Sequence, residues 1–119
     1  MAQHNELGKI GEELAAQHLL AKGYKILDRN FIFEHKEVDI IAQKDNLIVC
    51  VEVKTRNSDF FGDPQSFVTP GKIKQIVKVM NAYLEEKDIE LETRFDIIAV
   101  LKNKTTEVVT HYEDAFYHF

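Results

Sequence analysis

Leu7, Ile10, Leu14 and Ala21 recur at helical spacing near the start of the chain. Apolar residues so spaced share one face of a 3.6-residue helix, so about Asn5 to Lys22 reads as an amphipathic helix. Gly23 ends it. The period then changes. "YKILDRNFIF" reads as a strand, with Asn30 marking a bend. "EVDIIAQ" and "LIVCVEVKTR" are the next two strands, separated by the turn residues Asp45 and Asn46. "NSDFFGDPQSFVTPG" is a long mixed loop, with a short helix expected after Asp63-Pro64. Thr69 is a good N-cap and Pro70 a good first helical residue. Ile73, Ile76, Val77, Met80 and Leu84 then trace one face of a second helix. "RFDIIAVLK" and "TEVVTHY" read as two further strands. The order α-β-β-β-α-β-β describes an α/β fold. Its strand–helix–strand crossover is expected to be right-handed and to make the two joined strands parallel. The sheet is therefore mixed, with a helix on each side.

Composition narrows this picture modestly. The chain has 119 residues, enough for one domain spanning residues 1–119 and one core. The formal net charge is -5, from 20 acidic and 15 basic residues. That excess disfavours broad adhesion to nucleic acid or to an anionic membrane, but leaves room for a local basic groove. Cys50 is the single cysteine, so no intramolecular disulfide forms. Inside an apolar strand it reads as a small buried hydrophobe, in keeping with a reducing cytoplasm. The N-terminus lacks a basic segment followed by an apolar stretch, and no apolar run approaches membrane-span length. A cytoplasmic protein without a membrane partner is expected. The five histidines, His18 among them, show no zinc-site spacing. No serine sits in a nucleophile elbow, and no glycine loop is built to cradle phosphate.

The chemistry concentrates on the central hairpin. With Asp45 and Asn46 as a two-residue loop, counting outward pairs Lys44 with Leu47, Ala42 with Val49, Ile40 with Val51 and Val38 with Val53. On the other face Ile41 meets Cys50, Asp39 meets Glu52 and Glu37 meets Lys54. Two carboxylates are thus expected directly opposite each other, a destabilising arrangement for like charges. It persists if one takes up a proton or if a cation sits between them. Mg²⁺ suits one or two carboxylates plus waters and substrate phosphates. Lys54 would lie beside such an ion, where it can orient a water or stabilise developing charge. Spacing alone fits a local salt-bridge ladder equally well, with Lys54 pairing Glu37 or Glu52.

"VDII" followed by "VEVK" resembles the PD-(D/E)XK nuclease superfamily, in which an Asp opens one strand and Glu-X-Lys follows on the next. Val38 stands where that pattern has Pro. A resemblance covering nearly the whole chain is to the YraN family, carried by "GKIGEELAAQHLLAKGYKILDRNF", "EVDIIA", "VEVKTR", "RFDIIAV" and the late "AF". Lys36 replaces that family's Gly before Glu37, and Cys50 stands where an aromatic residue is common. The YraN family resembles archaeal Holliday-junction resolvases in fold. The resemblance implies a restriction-endonuclease-like three-layer α/β/α core and a metal-dependent endonuclease site acting on DNA, branched or damaged forms included. It implies Mg²⁺ or Mn²⁺ held by Asp39 and Glu52 with the backbone carbonyl of Val53, and Lys54 orienting the attacking water. Gly8, Gly11 and Glu12 match the G-x-x-G-E motif whose glutamate joins the metal site, so Glu12 takes that role by resemblance. From its position alone Glu12 reads as a solvated acid at the edge of the apolar face.

Arg56 follows Lys54 on the site face and could hold a phosphate bidentately, or simply be solvated. Lys72 and Lys74 open the second helix, against its dipole, and Lys78 extends the stripe. They read as nucleic-acid contacts or as an ordinary solvated face. Arg94 and Asp96 read as a structural pair around a core Phe95. Phe60, Phe61, Phe67 and Tyr83 suit packing better than base stacking. "DAFYHF" reads as an apolar tail that docks on the body or on a second copy of the chain, as in a homodimer. A non-catalytic nucleic-acid-binding module and a protein-interaction domain on the same fold stay open beside the nuclease.

Overall fold

The computed structural model describes residues 2–58 and 68–116. Helix α1 spans Ala2–Ala21, followed by strands β1 (Lys25–Phe33), β2 (Lys36–Lys44) and β3 (Leu47–Arg56). Helix α2 (Pro70–Glu86) leads to β4 (Glu92–Lys102) and β5 (Glu107–Tyr112). The α/β order expected from the sequence is the order found. The short helix expected after Asp63-Pro64, and Phe60, Phe61 and Phe67, lie outside the described residues. No helix among the described residues is long and apolar enough to cross a membrane.

Local chemistry explains where the elements stop. Gly23 takes φ +89°, and the Tyr24 N–H donates to the Leu19 carbonyl at 3.0 Å, closing α1 in a left-handed cap. Thr69 caps α2: its Oγ1 accepts from the Lys72 N–H at 3.2 Å, and Pro70 follows at the first helical position. Glu34 and His35 both take positive φ, which joins β1 to β2 through a tight hairpin turn.

The five strands lie in sequence order in one sheet. All neighbours are antiparallel except β3 and β4, which α2 joins in parallel. Two cores form, one on each face. Ala15, Ala16 and Leu19 of α1 pack on Ile40, Ala42, Val49, Val51, Ile98 and Val100. Ile76, Val79, Met80 and Tyr83 of α2 pack on Ile41, Ile48, Cys50, Phe95 and Ile97. Cys50 is fully buried, as its setting implied.

Two packing expectations need correction. The buried stripe of α1 is Gly11, Ala15, Ala16 and Leu19, whereas Ile10 is 45% exposed and Ala21 is also exposed. Small residues carry little hydrophobic signal, yet they let a helix approach a sheet closely. A Cβ on Gly11 would overlap Thr55 Oγ1 and come within 2.9 Å of Thr55 Cβ. On α2 the buried line runs through Val79 and Tyr83, while Ile73, Val77 and Leu84 pack at its margin.

Candidate active site

The hairpin register matches the count from its loop between Lys44↔Leu47 and Ile40↔Val51. Beyond Ile40↔Val51 the backbone pairing stops, so the expected facing pairs Asp39–Glu52, Glu37–Lys54 and Val38–Val53 do not form as ladder partners. Val38 packs in the core on the α2 side rather than with Ile40. In place of a ladder bond, Asp39 Oδ2 accepts from the Val53 N–H at 2.8 Å. On the other neighbour of β2, Asn30 takes φ +54° midway along β1, the bend its sequence position suggested. The sheet is thus irregular on both sides of Asp39, at the place where regular pairing would hold two acids face to face.

A cleft of about 730 Å³ opens where β2 and β3 part. Glu12 reaches it from α1, Asp39 from β2, Glu52, Lys54 and Arg56 from β3, and Thr69 and Lys72 from the start of α2. Residues far apart in the chain therefore converge on one solvent-open space. Lys74 and Lys78 do not line it. Lys78 pairs with Glu34 at 2.8 Å, beside the β1–β2 turn.

The close approach at Gly11 helps bring Glu12 over the sheet. Glu12 Oε1 accepts from Asn30 Nδ2 at 3.0 Å, so the left-handed residue of β1 also holds this carboxylate. Glu13 points elsewhere and pairs with Arg29 at 2.9 Å.

The electrostatics centre on the two strand carboxylates. Burial pushes Glu52 up to about 8, the Asp39 charge adds to that, and Lys72 opposes it. Burial likewise pushes Asp39 up to about 6; the Val53 N–H opposes the rise, and the Glu12 and Glu37 charges add to it. Lys54 is held below the usual amine range by burial, then by the Arg56 and Lys72 charges. The Glu52 side chain is only 12% exposed, and Lys72 Nζ stands 3.8 Å from its Oε1. Its Oε2 is buried without a hydrogen-bond partner. An orphaned buried oxygen carries a desolvation penalty unless something pairs with it. A hard divalent cation fits a donor set of carboxylate oxygens. Among the described residues no three acidic, histidine or cysteine side chains form a ready-made metal cluster.

A second polar cluster lies apart from the cleft. Arg94 grips the fully buried Asp96 through Nε at 2.9 Å and a terminal nitrogen at 2.8 Å, the structural pair read from the sequence. Three partners were not legible. Tyr24 Oη accepts from Arg94 at 2.6 Å, His111 Nε2 lies 2.7 Å from Asp96 Oδ2, and His18 lies 3.3 Å from His111. Tyr24 is 70 residues from Arg94, and His111 is 93 from His18, so no local pattern announces them. Lys72 as partner of Glu52 in the cleft, and Asn30 outside its lining as holder of Glu12, were missed for the same reason. The positive φ of Asn30 is one signal that an asparagine inside a strand pattern can offer.

Comparison with known proteins bears on this arrangement. Residues 11–100, which include Glu12, Asp39, Glu52 and Lys54, match the family described as "Uncharacterised protein family UPF0102". A UPF0102 protein of Flavobacterium psychrophilum is 56% identical over 119 residues, covering 100% of both chains. One from Christiangramia forsetii is 51% identical over 119 residues, again covering both chains fully. One from the more distant Syntrophomonas wolfei is 45% identical over 114 residues, 95% of this chain and 99% of its own. The family model covers most of the chain and the relatives cover 95–100% of it, and the chain belongs to the UPF0102 family.

Proposed function

We propose that this chain is a metal-dependent nuclease that hydrolyses phosphodiester bonds of DNA, branched or damaged forms among its candidate substrates. One observation carries the reading. Asp39 and Glu52 meet in an open cleft beside Lys54, and one buried oxygen of Glu52 has no partner. Asp39, Glu52 and the Val53 carbonyl would hold Mg²⁺ or Mn²⁺, with Glu12 contributing directly or through water. When bound, such an ion polarises a phosphoryl oxygen and lowers the pKa of a water.

The chain's own residues do the rest. Asp39 is fixed by the Val53 N–H, so its other oxygen stays available. Lys54, on the β3 strand next to Glu52, orients the attacking water and meets negative charge as it develops. Arg56 and Lys72 flank the cleft and hold backbone phosphates. Burial of Glu52 strengthens its hold on a cation, while Arg56 and Lys72 act from the solvent-exposed rim.

The test is incubation with branched, linear and single-stranded DNA in Mg²⁺ or Mn²⁺. Metal-dependent cleavage, lost in Glu52→Gln and in Lys54→Ala while both variants keep the wild-type circular dichroism, is the expected result. Cleavage that survives both substitutions would refute the assignment. Salt-sensitive binding without cleavage of any form would make the chain a non-catalytic nucleic-acid-binding module.

A further inference from the structure

Lys72 sits in an unfavourable place for a lysine. Thr69 caps α2 and Pro70 opens it, so Lys72 lies in the first turn, where a cation works against the helix dipole. Its main chain is anchored by the Thr69 hydroxyl, while its side chain, 47% exposed, runs into the cleft. The Nζ stops 3.8 Å from Glu52 Oε1. That is close enough for attraction and too far for a direct hydrogen bond. The second oxygen of the same carboxylate has no partner. The lysine therefore offsets charge without satisfying the site. Nothing in the backbone of α2 has to move for the side chain to leave.

We infer that Lys72 is an exchangeable counter-cation: it pairs with Glu52 once that carboxylate is ionised and no divalent cation is bound, and moves from Glu52 to a phosphate oxygen of bound DNA when the divalent cation enters. The inference rests on the metal-dependent reading above and adds a direction to it. Lys72 competes with the divalent cation and assists the polyanion. Removing its charge should therefore strengthen one binding event and weaken the other. An ion pair that stays on Glu52 predicts the first change and not the second, since removing any cation 3.8 Å from that carboxylate favours another. A simple phosphate contact predicts only the second.

Mg²⁺ binding is measured by titration calorimetry at pH 9, where protons compete least for the acids. Wild type, Lys72→Met, Lys72→Arg and Glu52→Gln are compared. Binding of a fluorescent DNA duplex is then measured for the first three with and without Ca²⁺. Lys72→Met is expected to bind Mg²⁺ more tightly, on the order of tenfold for loss of one unit charge at this range. It should also lose most of the gain in duplex affinity that Ca²⁺ gives the wild type. Lys72→Arg should stay near wild type in both. Unchanged or weaker Mg²⁺ binding by Lys72→Met, with wild-type binding still dependent on Glu52, would overturn the exchange and leave the nuclease reading intact. Absence of Mg²⁺ binding in wild type and Lys72→Met alike would overturn both.

Discussion

Glu52 makes a physical prediction that does not require the substrate. Its folded-state pKa is raised from 4.5 to about 8, first by burial and then by the Asp39 charge. Folding in the absence of metal is therefore favoured by the proton. The stability contribution is full below the unfolded value near 4.5 and is lost as pH rises through about 8. Asp39, raised to about 6, acts in the same direction and titrates with it as a pair. Each pH unit within the window is worth about 1.4 kcal/mol per proton, so ionising this site should cost the metal-free fold roughly 2–5 kcal/mol between pH 5 and pH 9. Glu52→Gln keeps the shape and removes the ionisation. Urea unfolding in EDTA, run on both proteins across that range, reads the ionisation of Glu52, because Asp39 is present in both proteins and groups not coupled to Glu52 cancel in the difference. The variant should match wild type within about 1 kcal/mol at pH 5 and exceed it by roughly 2–5 kcal/mol at pH 9. Excess Mg²⁺ at pH 9 should restore the wild type and leave the variant unmoved. If wild type holds or gains stability relative to the variant from pH 5 to pH 9 in EDTA, the burial argument is wrong.

Three further outcomes are expected. Gly11→Ala gains about 1 kcal/mol of helix propensity but forces α1 off Thr55; rotating Thr55 relieves the Oγ1 overlap and not the 2.9 Å approach to Cβ. Overpacking of about 1–3 kcal/mol should win, read as a lower urea midpoint; a raised midpoint would mean that helix and sheet are not closely packed there. Asp96→Ala strands Arg94 and removes the acceptor for the Asp114 N–H, so a loss of about 3–5 kcal/mol is expected, shrinking in the double variant with Arg94→Met. His18 is held below the ordinary histidine range by burial, then by the His111 and Lys22 charges. Its contribution is present above the unfolded value near 6.5 and is lost as pH falls through the lower folded value, so His18→Asn should flatten the acid limb of a thermal-stability profile below about pH 6.5.

Element order, the α2 cap and the inner register of the hairpin were all readable because each depends on near neighbours in the chain. Apolar period, a Thr-Pro pair and a two-residue turn are local physics. The candidate site was readable in part. Glu52 and Lys54 share a face through strand alternation, and Asp39 comes opposite by counting. That count was right only to Ile40 and Val51. It assumed a regular ladder, which yields where two desolvated acids would be pressed together and Asp39 can take the Val53 N–H instead.

Three-dimensional packing settled the remainder. Glycine and alanine give almost no hydrophobic signal, so the buried face of α1 and the placement of Glu12 over the cleft emerged only when the helix met Thr55. Lys72 became the partner of Glu52 because α2 starts where β3 ends its run past the cleft. The Tyr24–Arg94–Asp96–His111–His18 cluster likewise joins α1, the start of β1, β4 and β5. Periodicity along a chain reports which side of its own element a residue occupies. Which element faces that side is set by how the elements bury their apolar surface together, and it is that step which gathers the charges into a site.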